Sequence, residues 1–122
     1  GLVGNLLRKA ALSYISLAKK AGEAVSGFTK VEEMLGRERA RILIHAAEAK
    51  PDGRRKLDKM AMAETVIMTR FSVDELSLAF GHPNVIHAAV AKGGLAEKLL
   101  AAVKRIEIYE AQTGPEGVEE RA

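Results

Sequence analysis

Apolar residues recur at two different periods along this chain, and the switching between them lays out its elements. Leu6, Leu7, Ala10, Ala11, Tyr14, Ile15, Ala18 and Ala21 follow helical spacing and define one apolar face. Gly22 stops that helix. Glu23–Ser26 has room only for a small edge strand. A second helix runs from Gly27 to Gly36 and turns Phe28, Val31 and Leu35 inward, with Met34 beside them. Arg41–Ala46 carries Ile42-Leu43-Ile44, an unbroken run of the kind buried on both faces of a sheet.

Pro51-Asp52-Gly53 marks a turn, with Asp52 expected to cap a helix that reaches Met62. Thr65–Thr69 is the next strand. Ser72 followed by Glu75 is a capping-box pair, and the helix it opens ends at Phe80 before Gly81. Asn84–Ala91 is a third core strand, broken by Gly93-Gly94, after which a long helix runs from Leu95 to near Tyr109. From Gln112 onward apolar periodicity is lost. Residues 1–111 therefore read as one domain and 112–122 as a disordered acidic tail. Alternating helices and strands predict the α/β class: a three-layer α/β/α sandwich with a small mixed sheet between the helix layers.

Composition sharpens this picture. The 122 residues include only two Tyr, three Phe and no Trp, so the core must be built from Ala, Leu, Ile, Val and Met. Absence of cysteine excludes disulfides and thiolate metal sites and makes a cytoplasmic chain the simple expectation. No apolar run approaches the ~20 residues of a membrane helix. The chain opens on Gly1 rather than Met, which fits either an excised domain or a cloning scar.

Charge points to a partner. Net charge is +3, but residues 1–60 hold 13 Lys/Arg against 7 Asp/Glu, whereas residues 61–122 hold 6 against 9. Such a polar distribution favours one basic working face and a polyanion. Lys19 and Lys20 precede the Gly22 break, and Lys30 follows Gly27, where a helix opening offers backbone N–H donors and a partial positive charge. Arg54, Arg55 and Lys56 form a second basic cluster, suited equally to phosphate contact and to a solvated surface, with Asp52 and Asp58 close in sequence. Phe28 keeps step with Val31 and Leu35 and so packs inward, although an aromatic there could also stack on an unpaired base.

Catalytic and metal chemistry find little foothold. His45 reads as a satisfied core histidine, and the spacing of His82 and His87 matches no metal-ligand set. Gly93-Gly94 lacks the rest of a phosphate-loop or dinucleotide pattern. Ser72 and Glu75 are accounted for by capping. No cofactor is implied, and the chain reads as a non-enzyme.

Three stretches together resemble a known family. Leu17-Ala-Lys-Lys-Ala-Gly22 with Val25-Ser-Gly27, the strand and turn from Arg41 to Leu57, and Glu75–Gly81 with Val85–Val90 are similar to the kink-turn RNA-binding ribosomal-protein superfamily. The nearest likeness is to its bacterial YlxQ-type members and to the domain fused behind YlxR-type domains. The resemblance spans roughly residues 5 to 108. It implies an α/β/α sandwich that binds structured RNA without catalysis. RNA would meet Gly27, Phe28, Thr29, Lys30 and Glu33, and the loop His82-Pro83-Asn84-Val85-Ile86. Three departures stand out, the first being Phe28-Thr29-Lys30 after Gly27, where kink-turn readers place amide or acidic residues. Glu33 occupies a position where kink-turn readers carry lysine, and Ser77 replaces a common glycine.

The functional expectation is therefore a monomeric RNA-binding protein of translation or ribosome assembly, with the ribosome or a fused N-terminal domain as further partners. The alternatives are a protein-interaction module and the RNA-docking domain of a larger RNA-modifying enzyme.

Overall fold

A computed structural model describes residues 1–113. The elements are α1 (Leu2–Lys20), β1 (Ala24–Ser26), α2 (Phe28–Gly36), β2 (Ala40–His45), α3 (Pro51–Asp58), β3 (Val66–Met68), α4 (Val73–Phe80), β4 (His87–Ala91) and α5 (Gly94–Thr113). The strand order is β1-β4-β2-β3. β2 and β3 run parallel, and β4 is antiparallel to both of its neighbours. This is the expected small mixed sheet.

The sheet is covered on both faces because its two central strands are apolar in both directions. Ile42, Ile44, Ala88 and Val90 point into a core shared with Ala11, Ile15 and Ala18 of α1, Leu76 and Phe80 of α4, and Leu99, Val103 and Ile106 of α5. Leu43, Ala89 and Ala91 point the other way, against Val31, Met34 and Leu35 of α2 and Leu57 of α3. Both cores are largely aliphatic, as composition requires, with Phe71 and Phe80 the aromatic members of the larger one. Among the described residues no helix is long and apolar enough to cross a membrane.

Four boundaries differ from the sequence reading. Asp52 does not cap α3. Lys50 is the N-cap, because a residue before proline is driven to extended backbone and Pro51 then sits at the first helical position. That helix ends at Asp58 rather than Met62. The last strand starts at His87, so Asn84, Val85 and Ile86 belong to the preceding loop. Finally, α5 carries Gln112 and Thr113 as helix, with Thr113 Oγ1 donating to the Tyr109 carbonyl at 3.0 Å. The remainder of the expected tail, 114–122, lies outside the described residues.

Candidate nucleic-acid interface

Two glycines shape the surface around the second helix. Gly22, with φ +74°, reverses the chain at the end of α1: its N–H donates to Lys19 O at 3.1 Å, and Glu23 N–H donates to Ala18 O at 2.8 Å. The reversal leaves Lys19 and Lys20 exposed on the last turn. Gly27 has φ +94°, a conformation strained for any residue with a Cβ. Its N–H donates to His87 O at 2.9 Å and its carbonyl accepts from Val31 N–H at 3.0 Å. No side chain caps α2, so the N–H groups of Phe28, Thr29 and Lys30 have no acceptor within the helix.

The opening of α3 also lacks a side-chain cap, and it faces the same space. A cavity of about 540 Å³ is lined by Gly27 and Phe28 from the start of α2 and by Lys50, Asp52 and Gly53 from the start of α3. Glu48 and Ala49 of the β2–α3 connection, and Asn84, Ile86 and His87 of the last loop and strand, complete the lining. Two positive helix ends thus converge on one hollow, with Asp52 partly offsetting them. An anion at the rim and a flat apolar group inside would both be accommodated.

Several hydrogen bonds hold the loop between α4 and β4. Gly81, at φ +79°, ends α4 and donates to Ser77 O at 2.9 Å. Ser77 Oγ accepts from Val85 N–H at 3.1 Å, which gives this serine a structural role. His82 Nε2 lies 2.8 Å from Ser26 Oγ and ties the loop to the residue just before Gly27.

Beneath the cavity lies a chain of three titratable groups. His45 is fully buried on β2. Its Nε2 stands 2.7 Å from Asp58 Oδ1 and its Nδ1 stands 2.9 Å from Nδ1 of His87 on β4. The two histidines are register partners across the β2–β4 ladder. Phe28 meets the His87 ring edge-on at a centroid distance of 5.9 Å. Burial pushes the His87 imidazole below its ordinary pKa; nearby His45 adds to this and Asp58 opposes it. His45 is thus the satisfied core histidine the sequence suggested.

Sequence-expected site residues fall into three groups. Gly27, Phe28, Asn84 and Ile86 meet in the cavity, with exposed Thr29 and Lys30 on the adjoining turn of α2. Phe28 both packs against the smaller core and lines the hollow. Lys19 and Lys20 flank a separate shallow depression with Phe80 and Gly81, on the other side of the loop that carries His82. Among the described residues, Lys19, Lys20, Lys30, Lys50 and Arg54 have no carboxylate within salt-bridge distance. By contrast, Arg55 and Lys56 stand 3.6 and 3.4 Å from Asp52 on an exposed helix surface.

One expectation is corrected. Val85 is 1% exposed and belongs to the larger core, so its side chain is withdrawn from any partner. Sequence reasoning missed Glu48, Ala49, Lys50 and Gly53 as lining residues and Asp58 as the partner of His45. The signal for the first group was Lys50-Pro51, which fixes an extended residue immediately before a helix.

A larger hollow of about 620 Å³ lies between α1, β3 and α5. Its arginines are already engaged: Arg8 with Glu75 at 2.6 Å, and Arg70 with Glu110 at 2.6 Å and Glu107 at 3.6 Å. The Arg8 guanidinium holds the Glu75 carboxyl below the usual carboxylate range against the opposing effect of burial. That region is an ion-pair lattice. Among the described residues, no group of three or more His, Cys, Asp or Glu is arranged to hold a metal ion.

No protein-family model matches this sequence, and no curated protein matches it. Solved structures do resemble it. A protein of unknown function from Bacillus halodurans superposes with a TM-score of 0.66 at 20% identity, over 77% of this chain and 96% of its own. The Giardia lamblia 15.5kD RNA binding protein gives 0.64 at 19% identity, over 84% and 88%. At such identities the likeness concerns architecture, and this chain has the fold of these two proteins, one of which binds RNA.

Proposed function

We propose that this chain is a non-catalytic RNA-binding domain that takes structured RNA on the surface formed by the start of α2, the α4–β4 loop and the start of α3. One observation carries the reading: Gly27 and Phe28, with Asn84 and Ile86 far away in sequence, border one cavity that two uncapped helix openings also line. Lys30 and Lys50 supply phosphate contacts beside it, Lys19 and Lys20 extend the basic surface at the neighbouring depression, and base contacts fall to the interior. The shared architecture with an RNA-binding protein supports the same reading. A role in translation or ribosome assembly is the cellular setting we propose, following the family resemblance. Glu33 at the expected lysine position argues for an RNA preference broader than sheared G·A pairs.

RNA titration across salt concentrations tests the proposal. Affinity for a bulged RNA hairpin should fall with salt with a slope of about −0.7 to −0.9 per phosphate contact. Lys19→Ala, Lys20→Ala and Lys30→Ala together should flatten that slope by the same amount for each contact removed, without altering the circular dichroism spectrum. Absence of binding at low salt, or an unchanged slope in the triple variant, overturns the assignment.

A second reading has its own observation. Leu78 is 85% exposed on α4 and lines a groove of about 440 Å³ with Leu12 and Leu17 of α1, a surface suited to a protein partner. Binding that is indifferent to salt would favour it.

A further inference from the structure

We infer that His87 Nε2 is the specificity-determining atom of the cavity: with both rings neutral it accepts a hydrogen bond from an N–H or O–H of the bound RNA, and one proton taken up by the His45–His87–Asp58 chain turns it into a donor. The inference rests on the RNA-binding reading above and deepens it.

The polarity follows from counting protons along the chain. An ionised Asp58 carboxylate can only accept, so His45 Nε2, 2.7 Å away, carries its hydrogen. A neutral His45 then has a bare Nδ1, and the 2.9 Å contact to His87 Nδ1 must be filled by a hydrogen on His87. A neutral His87 with its hydrogen on Nδ1 presents a bare Nε2. Hence the two neutral rings have a single arrangement that satisfies every bond, and its outer end is an acceptor. Adding one proton puts a hydrogen on Nε2 whichever ring holds the charge.

That outer atom is open to a ligand. His87 is 9% exposed and lines the cavity, and Nε2 has no partner among the described residues. No fully buried side-chain polar atom lacks a partner, so Nε2 is not sealed away. Gly53 keeps it clear: a Cβ there would stand 3.1 Å from His87 Nε2. Gly53 lies in the first turn of α3, where alanine is the better helix former, and the missing side chain opens the approach.

The surrounding charges are few. β2 contributes His45, α3 contributes Asp52 and Asp58, and the β2–α3 connection contributes Glu48 and Lys50. From α2 the contact is Phe28, and the last loop supplies Asn84 and Ile86. Burial, aided by His45, favours a neutral His87 at neutral pH.

The test is a pH series of RNA affinity from 8 to 5.5, with the bulged hairpin and its fully 2′-deoxy counterpart, for the wild-type chain and Gly53→Ala. A polyanion ordinarily binds more tightly as a protein gains positive charge. This cavity predicts the opposite sign: wild-type affinity should drop by up to about tenfold on acidification, the size of one lost hydrogen bond. Gly53→Ala should be weaker by a similar factor at pH 8 and lose the pH dependence. Loss of the pH effect in the deoxy hairpin assigns the donor to a 2′-hydroxyl, and its retention assigns it to a base edge. Nitrogen-15 chemical shifts of the free protein should report His87 protonated on Nδ1 and bare on Nε2. Wild-type affinity that is flat or rises toward acid, or the reverse tautomer, overturns the inference while leaving RNA binding standing. No RNA binding at any pH overturns both.

Discussion

The two faces of the sheet use the same strands for different ends. Toward α1, α4 and α5, β2 and β4 present Ile42, Ile44, Ala88 and Val90 to the larger apolar core. Toward α2 and α3 the same strands present Leu43 and Ala89, then, at the end nearest the helix openings, His45 and His87. The first face is a scaffold. The second is thinner, holds polar groups linked by hydrogen bonds, and carries the cavity. A buried polar pair is tolerated there because each hydrogen-bonding group within the layer is partnered: His45 between Asp58 and His87, and His87 by His45. The proposed RNA site lies on the face with the smaller apolar core, backed by the face with the larger one.

This division can be broken most forcefully at Ile44. Ile44→Ala should reduce unfolding free energy by about 2–5 kcal/mol in urea titration, with RNA affinity retained while the protein is folded. Loss of RNA binding in the folded variant would show that the scaffold face takes part in recognition.

Acidification probes the other face. Because the folded-state pKa of His87 lies below its unfolded value of 6.5, the unfolded chain binds the extra proton more readily. Stability should be level above about pH 7 and decline as pH falls through 6.5, as followed by urea midpoints. Glu75, also lowered, acts in a separate window: its contribution is present above its unfolded value of 4.5 and is lost as pH falls through its lower folded value. A stability curve flat between pH 7 and 5.5 would contradict the buried-neutral description of His87.

The smallest effect sharpens the contrast. Ser72 Oγ accepts from Glu75 N–H at 3.1 Å, while Glu75 Oε1 accepts from Ser72 N–H at 2.9 Å. Ser72→Ala should cost about 1 kcal/mol and leave the RNA salt slope unchanged, since this cap belongs to the scaffold side.

Much of this architecture was legible in the sequence. Ile42-Leu43-Ile44 announced a strand buried on both faces, and the Ser72–Glu75 box announced the start of α4 in the register observed. Gly27 as a helix opening was equally clear. The cavity was legible only in halves. Gly27-Phe28 and Asn84–Ile86 could be marked separately, but nothing local indicated that Lys50 and Gly53 would close the ring. Val85 illustrates the limit: the sequence placed it both in a core strand and in an RNA-contacting loop, and the structure makes it a loop residue whose side chain is core and whose N–H donates to Ser77 Oγ.

What the sequence determined by itself was the order and type of the elements, because periodicity and capping are properties of neighbouring residues. Only tertiary structure decided that His45 and His87 share a proton-bearing contact and that two helix openings face the same hollow. Those contacts depend on strand order and on which face each strand turns to each layer. Residues 42 positions apart acquire that relation only when the sheet assembles.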